Sequence, residues 1–574
     1  MAPLLSIKDL SIRFQTEEAE TIAVKKSSFS INKGELVAIV GESGSGKSIT
    51  ALSILRLLPK QAIISGEILF SQNESIDLLK LPANKINSIR GNEVAMIFQE
   101  PMSSLNPVFT CGHQVMEAIQ LHQRVSKEEA RQKTIALFKK VKLPEPENLV
   151  NRYPHQLSGG QKQRVMIAMA MSCEPSLLIA DEPTTALDVT VQKTILELIK
   201  ELQQQNNMGV IFITHDLGVV ADIADKILVM YKGEIIEQGT AKDILHSPQH
   251  PYTKALLACR PAGKTKGIRL PVVSDFLEKP EAGGKNSEDR SQKAEIKPQT
   301  SEFLPPVSNI LEIKNLNVHF PVKKNLFGKP TLFFKAVDDV SFSVQQGDIV
   351  GLVGESGCGK TTLGRSILQL IKPTSGSILL DGKDIAHIRS SMLRTMRKDL
   401  QIVFQDPYGS LNPRITIGNA ILEPLKVHAV LNTYKQRKEK VMELLEKVSL
   451  DTDHFNRYPH QFSGGQRQRI CIARALVLNP SFLIFDEAVS ALDVSVQAQV
   501  LNLLNDLKKE FGFTAIFISH DLAVVHYIAD RILVMHKGKI VEEGTAGQVY
   551  YDPKNEYTQK LVSAIPGKSI FQSS

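Results

Sequence analysis

Gly41-Glu42-Ser43-Gly44-Ser45-Gly46-Lys47-Ser48 stands directly after a short apolar run, residues 36–40, and opens into a segment with helical character. The arrangement returns at Gly354-Glu355-Ser356-Gly357-Cys358-Gly359-Lys360-Thr361, with Thr362 continuing the helix and residues 349–353 forming the preceding run. Both stretches fit G-x-x-x-x-G-K-[S/T] in its required setting, a buried strand before and a helix after. The glycines let backbone amides turn inward around phosphates, the lysine places a point charge on the outer phosphates, and the hydroxyl of Ser48 or Thr361 can ligate magnesium. Two such loops in one chain predict two nucleotide sites on α/β folds.

Working outward, each loop is followed by an apolar run that ends in two acids, Leu177 to Asp181-Glu182 and Phe482 to Asp486-Glu487. In an open parallel sheet, ligands bind at the carboxyl ends of the strands, so these acids are expected beside the phosphate loops. The first acid, Asp181 or Asp486, is placed to hold hydrated magnesium. The second, Glu182 or Glu487, is placed to orient or deprotonate the attacking water. A further apolar run ends in His215 in one half and His520 in the other, each 34 residues after its magnesium acid. A histidine there can sense the γ-phosphate or the water, with the glutamates kept as the bases.

The segments Arg152-Tyr-Pro-His-Gln-Leu-Ser158-Gly159-Gly160-Gln161 and Arg457-Tyr-Pro-His-Gln-Phe-Ser463-Gly464-Gly465-Gln466 are nearly one sentence written twice, each 23 residues ahead of its first acid when counted from the serine. With these in hand, the chain resembles the ATP-binding-cassette family. Ser158 to Gln161 and Ser463 to Gln466 match that family's signature, and Gln99 and Gln405 match its glutamine loop. Ala186-Leu187-Asp188 and Ala491-Leu492-Asp493 are similar to its D-loop. The resemblance implies two tandem nucleotide-binding domains, each with a RecA-like P-loop core, an antiparallel β subdomain and a helical subdomain bearing the signature. It also implies that Gln99 and Gln405 take part in catalysis and reach the metal, and that the cassettes pair head to tail within the chain. Each signature then completes the other half's ATP site, because helix N-terminal amides favour an incoming anion.

Register separates the halves. Matching Phe14 to Phe320 and Phe29 to Phe342 leaves about seven additional residues in the second half, around Lys323 to Pro330, which predicts a longer hairpin there. The family commonly stacks an aromatic on adenine where Phe14 and Phe320 fall; a core phenylalanine is the competing reading. Every motif residue is present twice, so two competent ATPase sites are expected.

Composition bounds the rest. At 574 residues the chain accommodates two sizeable domains, and 42% hydrophobic content can fill them. Five scattered cysteines form no C-x-x-C pair, which argues for a reducing compartment and against a zinc or disulfide framework. No iron-sulfur centre is expected either. No apolar stretch reaches membrane-spanning length and no signal peptide precedes the first strand pattern, so the chain is expected to be soluble. A net charge of +7 without a dense basic run gives no indication of nucleic-acid binding.

The expected domains are therefore 1–260 and 309–574, with 261–308, rich in Lys, Glu, Pro, Gly and Ser, as a flexible tether. Ser104-Leu-Asn-Pro107 with Ser410-Leu-Asn-Pro413, and Pro251-Tyr252-Thr253 with Glu556-Tyr557-Thr558, are similar to the dipeptide, oligopeptide and nickel branch of bacterial importers. That resemblance implies two integral-membrane permease subunits and a solute-binding protein as partners, and a location at the cytoplasmic face of the inner membrane. Tandem cassettes that act on ribosomes form the alternative class, but they carry a long charged helical linker that this Pro/Gly-interrupted segment does not match.

Overall fold

The computed structural model describes residues 2–15, 20–71, 74–99, 104–185, 187–264, 266–277, 308–324 and 330–567. These residues form two compact units, the bulk of the first being Met1–Gly263 and the bulk of the second Lys264–Leu492 with Gln497–Val562. The first unit contains β1 (Leu5–Gln15), β2 (Glu20–Ile31), β3 (Leu36–Val40), β4 (Ala62–Ser71), β5 (Ser75–Asp77), β6 (Val94–Ile97), β7 (Leu177–Asp181), β8 (Gly209–Thr214), β9 (Lys226–Tyr231) and β10 (Glu234–Thr240). They build an antiparallel sheet of order β2-β1-β4-β5 and a six-stranded sheet of order β10-β9-β3-β8-β7-β6. In the latter all neighbours are parallel except the β9–β10 hairpin at one edge.

The central strands read LVAIV, LLIAD and GVIFIT, and every residue in them is buried. Continuous apolar runs of this kind suit a parallel sheet covered on both faces. Between the two sheets, Leu5, Ile7, Phe29, Ile39, Ile54 and Ile179 belong to one hydrophobic core that includes the helix after the phosphate loop, Lys47–Ile54.

The second unit repeats the plan with β11 (Asn309–Lys324), β12 (Pro330–Gln345), β13 (Ile349–Val353), β14 (Ser375–Leu380), β15 (Lys383–Asp384), β16 (Leu400–Val403), β17 (Phe482–Asp486), β18 (Thr514–Ser519), β19 (Arg531–His536) and β20 (Lys539–Thr545). Its sheets run β12-β11-β14-β15 and β16-β17-β18-β13-β19-β20. The longer hairpin is present: β11 and β12 have 16 residues each and pair out to Lys324↔Pro330, whereas β1 and β2 have 11 and 12 and pair out to Gln15↔Glu20. Residues 325–329 at its tip lie outside the described residues.

Inserted between β6 and β7 is a helical stretch whose main members are Cys111–Gln123, Lys127–Lys140 and Gly159–Ala170; Ile417–Val427, Tyr434–Lys447 and Gly464–Leu476 are their counterparts. Local chemistry starts these helices. Thr110 and Ser126 accept hydrogen bonds from the amides of His113 and Glu129, the expected capping contacts.

The tether expected over 261–308 divides differently. Residues 278–307 lie outside the described residues, but 266–273 pack within the second unit. Leu270 exchanges two hydrogen bonds with Asn502, its amide donating to Oδ1 at 2.9 Å and its carbonyl accepting from Nδ2 at 2.8 Å. The Tyr527 hydroxyl donates to the Ile268 carbonyl at 2.7 Å, and Lys266 pairs with Asp530. Leu270 and Val272 are buried. Average composition hid this: an alternating Leu-Pro-Val pattern inside a polar stretch is enough to bind an extended segment.

Candidate functional site

The doubly written segment has a structural cause. Tyr153 donates its amide to Gln156 Oε1 at 2.9 Å and closes a one-turn 3-10 helix, Pro154–Gln156; Tyr458 and Gln461 do the same at 2.9 Å. Directly after it, Ser158 caps the Gly159–Ala170 helix. Its Oγ accepts from the Gln161 amide at 3.3 Å, and Gln161 Oε1 accepts from the Ser158 amide at 3.1 Å. Ser463 and Gln466 form the same reciprocal pair, at 3.3 and 3.0 Å. The signature glutamine thus shapes the helix start, and Gly159, Gly160, Gly464 and Gly465 occupy its first turn with no side chain over the amides.

The phosphate loops turn through Gly44 and Gly46, at φ 80° and 101°, and through Gly357 and Gly359, at φ 80° and 112°. A Cβ on Gly359 would lie 2.1 Å from the Ala336 carbonyl oxygen, so both backbone sign and space require glycine there. Lys47 is buried, and its ammonium donates to the carbonyls of Gly41 at 2.7 Å and Glu42 at 2.8 Å; Lys360 donates to Gly354 at 2.7 Å and Glu355 at 2.9 Å. Burial pulls the Lys47 pKa down, partly opposed by Glu182 and Asp181. Burial raises the Cys358 thiol, which makes it a packed small residue more than a reactive one.

At the end of β7, Asp181 Oδ1 accepts from Ser48 Oγ at 3.0 Å, and at the end of β17 Asp486 Oδ1 accepts from Thr361 Oγ1 at 2.9 Å. Burial pushes Asp181 up to about 6, against the hydrogen bond from Ser48, and it raises Asp486 as well. A buried carboxylate beside a hydroxyl is a pair of hard-oxygen donors that fits magnesium shared with phosphates.

The following glutamates carry a feature invisible in sequence. Glu182 and Glu487 sit at φ 44° and 49°, the left-handed region that costs a residue with a side chain about 1 kcal/mol or more. Each is held there by its amide, which donates to Ile213 or Ile518 at 3.0 Å. The twist turns the carboxylate back toward the loop. Gln99 Nε2 donates to Glu182 Oε2 at 2.9 Å, Thr185 Oγ1 donates to the same oxygen at 2.9 Å, and His215 Nδ1 lies 3.4 Å from Oε1. In the second site Gln405 Nε2 donates to Glu487 Oε2 at 2.9 Å and His520 Nδ1 lies 3.5 Å from it.

Burial by itself raises the Glu182 pKa, but the imidazole of His215 3.4 Å away, the hydrogen bond from Thr185 and the charge of Lys47 outweigh it and hold the carboxyl at about 2. Glu487 is lowered for the same reason, with His520 the main partner. Carboxylates lowered in this way stay ionised at neutral pH. Glu182 in turn raises His215 above its usual value against the effect of burial.

Loop, two acids, glutamine and histidine therefore converge within each unit. Phe14 is half-buried against the core cluster of its unit and Phe320 is 40% exposed on β11, so the two halves do not treat this aromatic alike. Ala186 lies outside the described residues. Sequence reasoning passed over Thr185, whose hydroxyl spacing from Glu182 is a usable signal, and Arg365, whose guanidinium lies 3.9 Å from Asp486. Nor did it see that Tyr252 and Tyr557 reach the phosphate loops.

Comparison with known proteins agrees with this geometry. Residues 24–185 and 337–490 match the family model described as ABC transporter, and residues 236–281 match the one described as oligopeptide/dipeptide transporter, C-terminal region. Glutathione import ATP-binding protein GsiA of Escherichia coli O157:H7 is 49% identical over 98% of this chain and 89% of its own length. The protein of that name from Shigella boydii serotype 4 is 50% identical over the same shares. A solved dimeric bacterial ABC transporter cassette is 28% identical, covers 41% of this chain and 98% of its own, and gives a TM-score of 0.38. No helix among the described residues is long and apolar enough to cross a membrane. With two complete cassettes, a family match over both and relatives spanning nearly its whole length, the chain belongs to the ABC transporter ATPases, the ATP-binding proteins that hydrolyse ATP to drive transport.

Proposed function

We propose that the chain is the energy-coupling subunit of an importer for peptide-like cargo, glutathione or short peptides, and that it carries two ATP sites. The observation that carries this reading is the oligopeptide/dipeptide C-terminal region at residues 236–281, set beside two cassettes whose relatives are named for glutathione import. In each site the phosphate loop (Gly41 to Ser48, Gly354 to Thr362) binds the phosphates and Lys47 or Lys360 neutralises the outer ones. Ser48, Asp181 and Gln99, or Thr361, Asp486 and Gln405, would hold magnesium, which supplies charge neutralisation on the β- and γ-phosphates when bound. Glu182 and Glu487 orient the water, and His215 and His520 sense the γ-phosphate. The signature of each half, Ser158 to Gln161 or Ser463 to Gln466, completes the site of the other; the exposed Phe320 faces adenine, while Phe14, packed against its core, follows the competing core reading.

Partners follow from the same reading: two permease subunits in the inner membrane, with the chain on their cytoplasmic face, and a solute-binding protein. In the second unit a cavity of about 770 Å³ beside Gln405 is lined by Phe404, Pro424, Val427 and the charged Arg394, Arg397 and Arg474. A lining of apolar and mostly basic side chains, with Glu423 the acidic member, suits a short amphipathic helix of a permease. Binding of two ATP closes the cassettes and hydrolysis reopens them. The deciding experiment is uptake of labelled glutathione and short peptides by cells that lack the chain, complemented with wild type or with Glu182→Gln. Restoration by the wild type alone supports the reading. Normal uptake in the deletion strain, or recovery of the chain with ribosomes instead of membranes, overturns it.

A further inference from the structure

The tyrosines of Pro251-Tyr252-Thr253 and Glu556-Tyr557-Thr558 have a structural role beyond the resemblance they carry. Tyr252 has no exposed surface. It is the second residue of the Pro251–Ala258 helix, and its hydroxyl oxygen accepts a hydrogen bond from the backbone amide of Glu42, inside the phosphate loop, at 3.1 Å. Tyr557 holds the same position in the Glu556–Ser563 helix and accepts from the Glu355 amide at 2.9 Å. The contact occurs twice, in register, once in each of the two compact units.

Each ring is itself held. Tyr252 packs on Tyr231 at the end of β9, with centroids 4.3 Å apart, and Tyr557 stacks on His536 at the end of β19, 4.0 Å apart and 18° from parallel. The turn after each of those strands grips the loop from a second point: the Gly233 amide donates to the Ser45 carbonyl at 3.0 Å, and the Gly538 amide to the Cys358 carbonyl at 2.9 Å. Glu42 is thereby fixed on both sides of its peptide, its amide on the tyrosine and its carbonyl on Lys47. Glu355 is fixed the same way by Tyr557 and Lys360. In the described structure the amides of Glu42 and Glu355 are thus engaged by the tyrosines, so anchoring them aims those further along the loop.

We propose that Tyr252 and Tyr557 are positioning residues of the ATP sites: helices at the C-terminal end of each cassette hold the phosphate loop, through one phenolic oxygen, in its nucleotide-binding shape. The proposal rests on the assignment of these loops to ATP.

The test uses the full chain with Tyr252→Phe, Tyr557→Phe and the double variant, which remove only the hydroxyls and keep the rings stacked. A partly buried amide left without its acceptor destabilises the ordered loop, so we expect ATP to bind about three- to tenfold more weakly in each altered site. KM for ATP rises correspondingly, while kcat stays within about twofold, because the groups that act on the water are untouched. Amide hydrogen exchange of the peptide containing Glu42 or Glu355 should quicken selectively. A purely structural role would instead lower thermal stability and leave KM and nucleotide affinity unchanged, and that result in the double variant overturns the proposal. Should either single variant fail to fold, the other tests the same contact in a different unit. Lys47→Ala with Lys360→Ala is the control: lost ATP binding there, with normal binding in the tyrosine variants, sinks this inference alone, whereas retained binding there sinks the site assignment itself.

Discussion

The two cassettes share their chemistry and differ in what braces it. Loop lysine, strand-end aspartate and glutamate, glutamine and histidine stand in the same relations, and the distances from hydroxyl to aspartate and from glutamine to glutamate differ by 0.1 Å or less. Around them the second cassette brings together residues of other types. Arg467, on the signature helix, lies 3.6 Å over the Tyr408 ring just past Gln405, and Arg474 on the same helix donates to the Ser410 carbonyl at 2.6 Å. The first cassette has Lys162, Met102 and Met169 at those positions. Arg365 stands by Asp486 where the first half has Leu52, and Asn502 and Tyr527, which hold segment 266–273, correspond to Glu197 and Asp222. The reaction dictates the residues that touch ATP, whereas the elements that transmit its consequences are free to diverge.

The equality of the two chemistries is the first thing to break. Glu182→Gln and Glu487→Gln each keep the shape and remove the charge that orients water, and each should lower steady-state ATPase turnover by about 10²- to 10³-fold at that site. Measured one at a time by single-turnover hydrolysis with trapped nucleotide, the two variants should match. One variant with wild-type turnover would show that its cassette is catalytically idle and that the shared geometry is inherited without use.

How much of this was readable in advance follows from where the information lies. The loops, acids, histidines and signatures were legible because each is a short contiguous pattern fixed by the chemistry of phosphate or by a helix start. The longer second hairpin was legible by register alone. The left-handed backbone at Glu182 and Glu487 was not, since nothing marks a non-glycine residue for φ near 44° or 49° except the tertiary hydrogen bond that holds it. The loop-holding tyrosines escaped because their partner is a backbone amide some 200 residues away, which leaves no side-chain pattern to read. The docked segment escaped because its partners, Asn502 and Tyr527, are ordinary residues whose meaning is relational.

That segment offers the next contrast. Asn502→Leu leaves the amide and carbonyl of Leu270 buried without partners, which should destabilise the second unit by about 2–3 kcal/mol and expose 266–273 to protease. Glu197→Leu, at the matching position of the first unit, should change stability by less than about 0.5 kcal/mol. Equal losses in the two variants, measured by denaturant unfolding, would mean that the segment contributes nothing specific to its unit.

Asp530 tests the same region by pH. Burial raises its pKa, but the Ile349 amide at 2.8 Å and the ammonium groups of Lys266 and Lys508 outweigh this and leave it below the ordinary value. A carboxyl whose pKa is depressed on folding contributes stability that is fully present above the unfolded value, about 3.9, and lost as pH falls through the lower folded value. Asp530→Asn should therefore cost about 1–2 kcal/mol at pH 7, a figure already reduced for partial exposure, and the deficit should shrink as the wild type is acidified below about pH 4. Asp225 makes the same backbone contact, to Leu36 at 2.8 Å, so Asp225→Asn separates the amide's share from that of the lysines. A deficit that is constant from pH 7 to 3 would rule out the ionised form as its source.

The smallest effect bears on why the halves diverged at all. Removing the ring beneath the Arg467 guanidinium with Tyr408→Leu should cost about 0.5–1 kcal/mol, a shift in melting temperature of about 2–4 °C at most for a unit of this size. Basal ATPase should hardly change, since Tyr408 touches no reacting group. What should change is the response to the permease, because the Pro407–Ser410 turn that carries Tyr408 links Gln405 to the signature helix. With that link loosened in the second cassette alone, membranes containing permease should show weaker stimulation of hydrolysis by transported cargo. Met102→Tyr combined with Lys162→Arg would write the same pair into the first cassette. If stimulation survives Tyr408→Leu intact, the additional brace is mere packing and the two halves transmit as alike as they hydrolyse.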